Sequence, residues 1–548
     1  MNLPLKGPNT ALDRWVPLGL ALYFGLHLIS RVLVSPSLEL DEAEQLLHMQ
    51  ALSLGYGFQP PLYTWLQALV FAFTGPDVFG LALLKAVLLW LTWWAMYKVA
   101  GLFYEAKDAV AIGLSLALFP QFLWESQRDL THTVLLVACV ALAWLAILSW
   151  HAKSMRSSPK IKAKQQVSAP PWGVTALLGL LVGAAIVAKY SAGLWLVILI
   201  FSIAFTGGPL RHWLAPRPFA FVALVALMVV LPHGLWLLNN LSEVVAPIQA
   251  KLGMEGAAAA SATSAPKYGT ALISLLQALG GFTGLWVLIT TLALGWHWLG
   301  RKARVGDTTE EPVSLNESAT AQGLQTSREE TASSAADVPS HTANPGGSQT
   351  LPPFWKTYLL LFLAALLAMI VFADATEFKD RWMQPFLVIL PLAFAQLAFK
   401  NELPPAVRRL WTASAITLML LALVLMPLRT VLGTQTGELS RLAIPYEELA
   451  QALKQDHPGV QSIVAPQGLV AGNLALYSKA HNWKVSLQGK EGEAGLWVLQ
   501  ETPSRGAFEP PPEGWVEQAT YAFPLRYNQT VKGVSQAVWR VYGPPNAR

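Results

Sequence analysis

The densest cluster of reactive side chains is Glu39-Leu40-Asp41-Glu42-Ala43-Glu44, four carboxylates within six residues, directly after an apolar stretch. Two readings are open from these residues alone. Asp41 could cap a helix with Glu44 at the third position, which makes the run a solvated helix start. Alternatively, one carboxylate is a general base and its neighbours hold a cation or substrate hydroxyls. Three further polar interruptions of apolar sequence invite the same question. Trp124-Glu125-Ser126-Gln127-Arg128-Asp129-Leu130-Thr131-His132 offers another acid, although Arg128 and Asp129 could simply pair with each other at little net gain. Lys189-Tyr190-Ser191 puts a cation in an otherwise apolar stretch, where ionisable residues are costly and either functional or snorkelling. Glu377-Phe378-Lys379-Asp380-Arg381-Trp382-Met383-Gln384-Pro385-Phe386 supplies a guanidinium suited to bidentate phosphate binding, or an interfacial anchor built on Trp382.

The elements that must position these groups are membrane spans. The chain has 548 residues, 53% apolar and only 13% charged, against about 25% charged in a soluble domain. Blocks of about 18 to 25 apolar residues are long enough for a helix to cross about 30 Å of hydrocarbon. Spans are expected near 13–34, 79–100, 109–125, 131–150, 172–188, 190–206, 218–238, 270–299, 356–373, 382–399 and 411–431, about eleven crossings. With the N-terminus in the cytoplasm, the clusters Lys98 and Lys107, Lys153 to Lys164, Arg211 and Arg217, Arg301 to Arg304 and Lys400 to Arg409 all lie inside. The outward loops then hold isolated cations such as Arg128, Lys251, Lys267, Lys379 and Arg381, and the C-terminus is outside. Pro60–Gly75 is apolar but short and reads as a helix in or near the outer interface.

The first 300 residues form the expected catalytic membrane block, with outward loops at 35–78 and 124–132. Residues 301–352 are rich in Ser, Thr, Ala, Glu and Gly and read as a disordered cytoplasmic linker. A second membrane block, 353–433, follows. From 434 to 548 the composition becomes that of a small soluble α/β domain facing away from the cytoplasm, with a helix at Tyr446 to Gln455 and short strands at 463–464, 485–487, 497–499 and 538–542. The net charge of +5 sits in short clusters, with no continuous basic face for nucleic acid. Cys139 is the single cysteine and lies inside an expected span, so there is neither a disulfide framework nor a cysteine-built metal site.

A first span, an outward Asp41-Glu42 pair, roughly fifteen residues and then Pro60-Pro61-Leu62-Tyr63-Thr64-Trp65-Leu66 resemble the protein-mannosyltransferase-type superfamily of the GT-C fold. That group includes the aminoarabinose transferase acting on lipid A and the galacturonic acid transferases acting on lipopolysaccharide core. The resemblance implies an all-α polytopic bundle with catalytic carboxylates Asp41, Glu42 and Asp129, the last facing the first loop across a cavity. It implies substrate contacts from Glu44, Gln59, Tyr63, Lys189, Tyr190, Lys379 and Arg381, with Lys189 and Arg381 as candidates for a lipid phosphate. One departure stands out: family members with lipid A chemistry carry an ionisable residue before the Pro-Pro, where this chain has Phe58-Gln59.

No Walker loop, dinucleotide fingerprint, zincin motif or nucleophile elbow is present. An outward site has no nucleotide sugar at hand, so a lipid-linked donor follows. The expected reaction is inverting transfer from a polyprenyl-phosphate sugar to a hydroxyl on an envelope lipid, glycan or protein, with either Asp41 or Asp129 as base. A divalent ion held by Asp41, Glu42 or Asp129 is the weaker source of charge stabilisation. The expected location is the inner membrane of a bacterial cell. A transporter or lipid-translocating protein would also use many spans and a few intramembrane charges, but no internal repeat is evident. A non-catalytic assembly subunit is the third reading.

Overall fold

The computed structural model describes residues 10–156, 169–254, 267–306, 351–399, 402–433, 439–488, 495–502, 510–528, 530 and 533–545. Most of the linker expected at 301–352 lies outside them. The membrane part consists of α1 (Thr10–Val34), α2 (Leu40–His48), α3 (Leu62–Thr74), α4 (Val78–Gly101), α5 (Ala106–Leu114), α6 (His132–Arg156), α7 (Trp172–Ala188), α8 (Ala192–Thr206), α9 (Pro216–Asn239), α10 (Leu241–Lys251), α11 (Lys267–Gly306), α12 (Pro352–Phe372), α13 (Leu390–Ala398) and α14 (Pro405–Val431). Helix α6 is the hub: Leu136, Val140, Ala141, Trp144 and Leu148 are fully buried on a helix apolar all round.

Among the described residues seven helices are long and apolar enough to cross a membrane, or eight if one bent pair counts as a span, so the chain is a multi-pass membrane protein. The expected eleven crossings are not confirmed by helix length among the described residues, for local reasons. Helices α7 and α8 have 17 and 15 residues, which at 1.5 Å per residue fall short of about 30 Å. The expected 109–125 span is bent by 80° between Ala106–Leu118 and Gln121–Arg128. Pro120 lies at that break, and Phe119 before it is extended (φ −103°, ψ 113°), as a residue preceding proline prefers. The expected 382–399 span is split into Asp380–Met383, Gln384–Leu387 and α13. Helix α3, with 13 residues, is likewise too short to cross.

The C-terminal region adds α15 (Tyr446–Asp456), α16 (Gly468–Leu476) and strands β1 (Ser462–Val464), β2 (Lys484–Ser486), β3 (Leu496–Thr502), β4 (Val516–Pro524) and β5 (Gln536–Gly543). The sheet order is β2-β1-β3-β5-β4, parallel among the first three and antiparallel thereafter. Along β5, Ala537, Trp539 and Val541 are buried at the period of two that an extended chain imposes. This core does not close on itself. It runs on into Leu38, Ala43 and Leu46 of the first loop and α2, and into Phe71, Val78 and Leu81.

Candidate active site

Helix α2 starts two residues earlier than a cap at Asp41 would require. Glu39 is the N-cap, and its N–H donates to Glu42 Oε2 at 3.0 Å. Asp41 therefore lies in the first turn with its carboxylate free of capping. Glu42 turns to the other side, where Arg31 pairs with it at 2.6 Å and Lys85 lies at 3.9 Å. Arg31, in the last turn of α1, also donates to the carbonyls of Ser35 and Ser37 and so fixes the path from α1 to α2. Burial alone would raise Glu42, but Arg31 and Lys85 hold it below the ordinary range.

The second acidic loop meets the first. The Asp41 N–H donates to Asp129 Oδ1 at 3.4 Å, and the Thr131 N–H donates to Asp41 Oδ2 at 3.3 Å. The other Asp129 oxygen is 3.3 Å from Arg441 and 3.6 Å from Arg128, so both pairings considered for Asp129 coexist. Burial and the neighbouring Asp129 push the Asp41 carboxyl up, while Lys85, Lys189 and the Thr131 N–H oppose this. A carboxylate so raised is the stronger base.

Asp41 lines a cavity of about 430 Å³. Leu130, Leu194, Ile248, Leu366, Met369 and Phe386 make one apolar wall, and Lys189, Lys251, Lys379 and Arg381 are its cations. Lys189, in the turn joining α7 to α8, donates to Thr133 Oγ1 at 2.6 Å. Its burial lowers the ammonium to about 8 despite Asp41 opposite. The Tyr190 hydroxyl meets His233 Nε2 at 3.1 Å, and His233 Nδ1 donates to the Leu54 carbonyl at 2.7 Å, tying α9 to the first loop. Asp380 accepts from the Gln121 amide and from the Arg381 N–H, both at 2.7 Å, which anchors the segment carrying Arg381. Lys379 lies 5.9 Å from the Trp382 ring.

Gln59 lines the cavity and hydrogen-bonds Glu44 behind it. Burial, with Asp41 adding to it, pushes Glu44 up to about 7. Tyr63 is not at the cavity surface: it is buried with its ring 5.5 Å from that of His132. His132 lines the cavity, but Nδ1 faces the Ala188 carbonyl at 3.3 Å and must donate to it, which leaves Nε2 to accept from Gln45 at 3.1 Å. Both ring nitrogens are thus engaged within the protein. Among the described residues no three His, Cys, Asp or Glu side chains converge to hold a metal. Glu42 is turned to Arg31 and the outer Asp129 oxygen to Arg441.

Sequence reasoning left out two residues of the site. Lys251 enters from the end of α10 and sits 3.5 Å above the Phe58 ring, so a cation stands beside the position where the residue before Pro60 is not ionisable. In sequence it is an isolated loop lysine. Arg441 comes from the C-terminal region, 312 positions from the acid it contacts, and nothing local marks it.

Residues 58–236 match the family model described as dolichyl-phosphate-mannose-protein mannosyltransferase. The lipopolysaccharide core galacturonosyltransferase RgtB of Rhizobium johnstonii is 29% identical over 84% of this chain and 80% of its own length. RgtA of the same organism is 28% identical over 83% and 79%. The crystal structure of ArnT from Cupriavidus metallidurans bound to undecaprenyl phosphate aligns with 97% of this chain and 98% of that one, at a TM-score of 0.50 and 13% identity. The apo form gives a TM-score of 0.51 over 96% and 97%. At that identity the likeness establishes the fold alone. Together these likenesses support a membrane glycosyltransferase of the GT-C fold, similar to the protein mannosyltransferases and to the lipopolysaccharide core galacturonosyltransferases.

Proposed function

We propose that the protein moves a sugar from a polyprenyl-phosphate carrier to an acceptor hydroxyl outside the cytoplasm, with inversion and with Asp41 as general base. The observation that carries this reading is the cavity's charge pattern. Asp41 is the one carboxylate among its lining residues, and it shares them with Lys189, Lys251, Lys379 and Arg381 beside an apolar wall. A polyprenyl chain suits the wall, and fixed cations suit a phosphate that gains charge as it leaves. The acceptor O–H proton passes to Asp41, the acceptor oxygen bonds to the anomeric carbon, and the bond from that carbon to the phosphate oxygen breaks with its electron pair. Asp129 orients Asp41 through its backbone N–H.

The same pattern bears on the sugar. One phosphodiester and the Asp41 carboxylate bring two negative charges, which four cations over-compensate. A uronic acid as donor sugar supplies the missing anion, and the two galacturonosyltransferase relatives make lipopolysaccharide core a natural acceptor. Lys251, at the Phe58 and Gln59 corner, is the candidate partner for the sugar carboxylate. The segregation of Lys and Arg between alternate loops supports a cytoplasmic N-terminus and a site on the outer face of the inner membrane. Incubating the purified protein with lipopolysaccharide core and either polyprenyl-phosphate galacturonic acid or a nucleotide-linked galacturonic acid tests the reading. Transfer from the lipid-linked donor alone, giving the opposite anomer, is expected; transfer from the nucleotide donor, or with retained configuration, would refute it.

A further inference from the structure

The first catalytic loop is held from above by the C-terminal region. The Leu38 N–H donates to Asn473 Oδ1 at 2.8 Å, Ser37 Oγ donates to the Ile444 carbonyl at 2.6 Å, and Gln50 exchanges two bonds with the Val485 backbone at 2.8 and 2.9 Å. Gly472 brings α16 so close to α2 that a Cβ there would meet the Ala43 carbonyl oxygen and Cβ. One side chain goes further. Arg441 leads a short turn, Arg441–Ala443, whose Leu442 and Ala443 are buried. Its Nη1 reaches Glu39 Oε2 and Asp129 Oδ2, each at 3.3 Å.

Resting on the transferase reading, we infer that Arg441 is a positioning residue for the reaction: it clamps Asp129 to the N-cap of the catalytic helix and so makes the C-terminal region part of the active site. The geometry gives the clamp one consequence. Holding Asp129 Oδ2 leaves Oδ1 to receive the Asp41 N–H, and the Asp41 side chain, inside the first turn of α2, is then directed to the cavity. Without the guanidinium, Glu39 and Asp129 would face each other beside Asp41 with only Arg128 between them and a partner cation. Repulsion would part the two loops or a proton would bind. Asp41 is faced by Asp129, Lys85, Lys189 and Glu44, and Glu39 by Asp129, Glu42, Arg128 and Arg441. Arg441 opposes the rise that burial and its acidic neighbours impose on Glu39, so neutralising Arg441 raises the proton affinity of Glu39.

The test compares full-length wild type with Arg441→Gln and Arg441→Lys in detergent or nanodiscs, measuring kcat, donor KM and the pH profile. For Arg441→Gln, kcat is expected to fall about 10²-fold with donor KM little changed, and the acid limb to move to higher pH. Arg441→Lys, which keeps the charge, is expected to recover much of kcat with the acid limb near its wild-type position. An Arg441→Gln enzyme with wild-type kcat and pH profile would overturn the inference, as would a folded Arg441→Lys enzyme devoid of transfer. If Arg441→Gln does not fold, the Arg441→Lys arm decides. Absence of transfer by wild type with every donor would sink the transferase reading itself, a result distinct from any of these.

Discussion

Asp41 and Asp129, 88 positions apart, are joined by one hydrogen bond in which the Asp41 backbone N–H donates to Asp129 Oδ1 at 3.4 Å. The bond sets the two acids in unlike roles. Asp41 presents its side chain to the cavity, whereas Asp129 has one oxygen on the Asp41 backbone and the other near Arg441 and Arg128. On the proposed reading the acid nearest the reacting atoms is Asp41, and Asp129 holds the helix that carries it.

The pH profile of kcat/KM should be a bell whose limbs belong to the free enzyme. Asp41 must be unprotonated to act as base. Burial and Asp129 raise it, so activity is lost as pH falls through a value above the ordinary aspartate range of about 3.9. Lys189 must be protonated to hold phosphate. Burial lowers it to about 8, with Asp41 and Glu44 opposing and Arg381 and Lys251 reinforcing, so activity is lost as pH rises through about 8. Lys189→Arg stays charged and should move the basic limb to higher pH; an unmoved limb would remove Lys189 from this role.

Sugar discrimination should reside with Lys251. Lys251→Ala is expected to lower kcat/KM for a polyprenyl-phosphate uronic acid by about 10- to 100-fold, the worth of a charged hydrogen bond. It should change a neutral hexose donor far less. Equal losses on both donors would make Lys251 a general phosphate contact instead.

Packing of α16 on α2 yields a stability prediction. Gly472→Ala drives a methyl into the Ala43 backbone and should cost about 1–3 kcal/mol, with a fall in transfer rate because α2 carries Asp41. Gly468→Ala, at the start of the same helix with open space around it, should stay within about 0.5 kcal/mol. Thermal unfolding of the two purified variants distinguishes them, and equal melting temperatures would contradict the close approach.

Much of this molecule was legible in sequence because the bilayer imposes length and polarity rules that a chain must display openly. The long spans and the polar breaks at Asp41, Asp129, Lys189 and Arg381 are of that kind. The spans left unconfirmed lie where hydropathy does not see geometry. Pro120 bends one expected span by 80°, and the apolar run at 382–399 is broken beside Pro385 and Pro391 into short helices. Asp41 and Glu42, adjacent and chemically alike, face different partners because the helix begins at Leu40, a boundary that two neighbouring carboxylates cannot reveal. Tyr63, within the motif that carried the resemblance, packs in the core beside His132. Lys251 and Arg441 reach the site only through tertiary contacts, and no local pattern announces such contacts.

The central claim is that Asp41 takes the proton of the acceptor hydroxyl. The most direct measurement is single-turnover transfer by purified wild type and Asp41→Asn from a polyprenyl-phosphate uronic acid to lipopolysaccharide core, with donor binding followed in parallel. The Asn side chain keeps the shape and removes the basicity. Transfer should slow by about 10²- to 10⁴-fold while donor affinity stays within a few-fold. An Asp41→Asn enzyme that transfers at the wild-type rate would contradict the account.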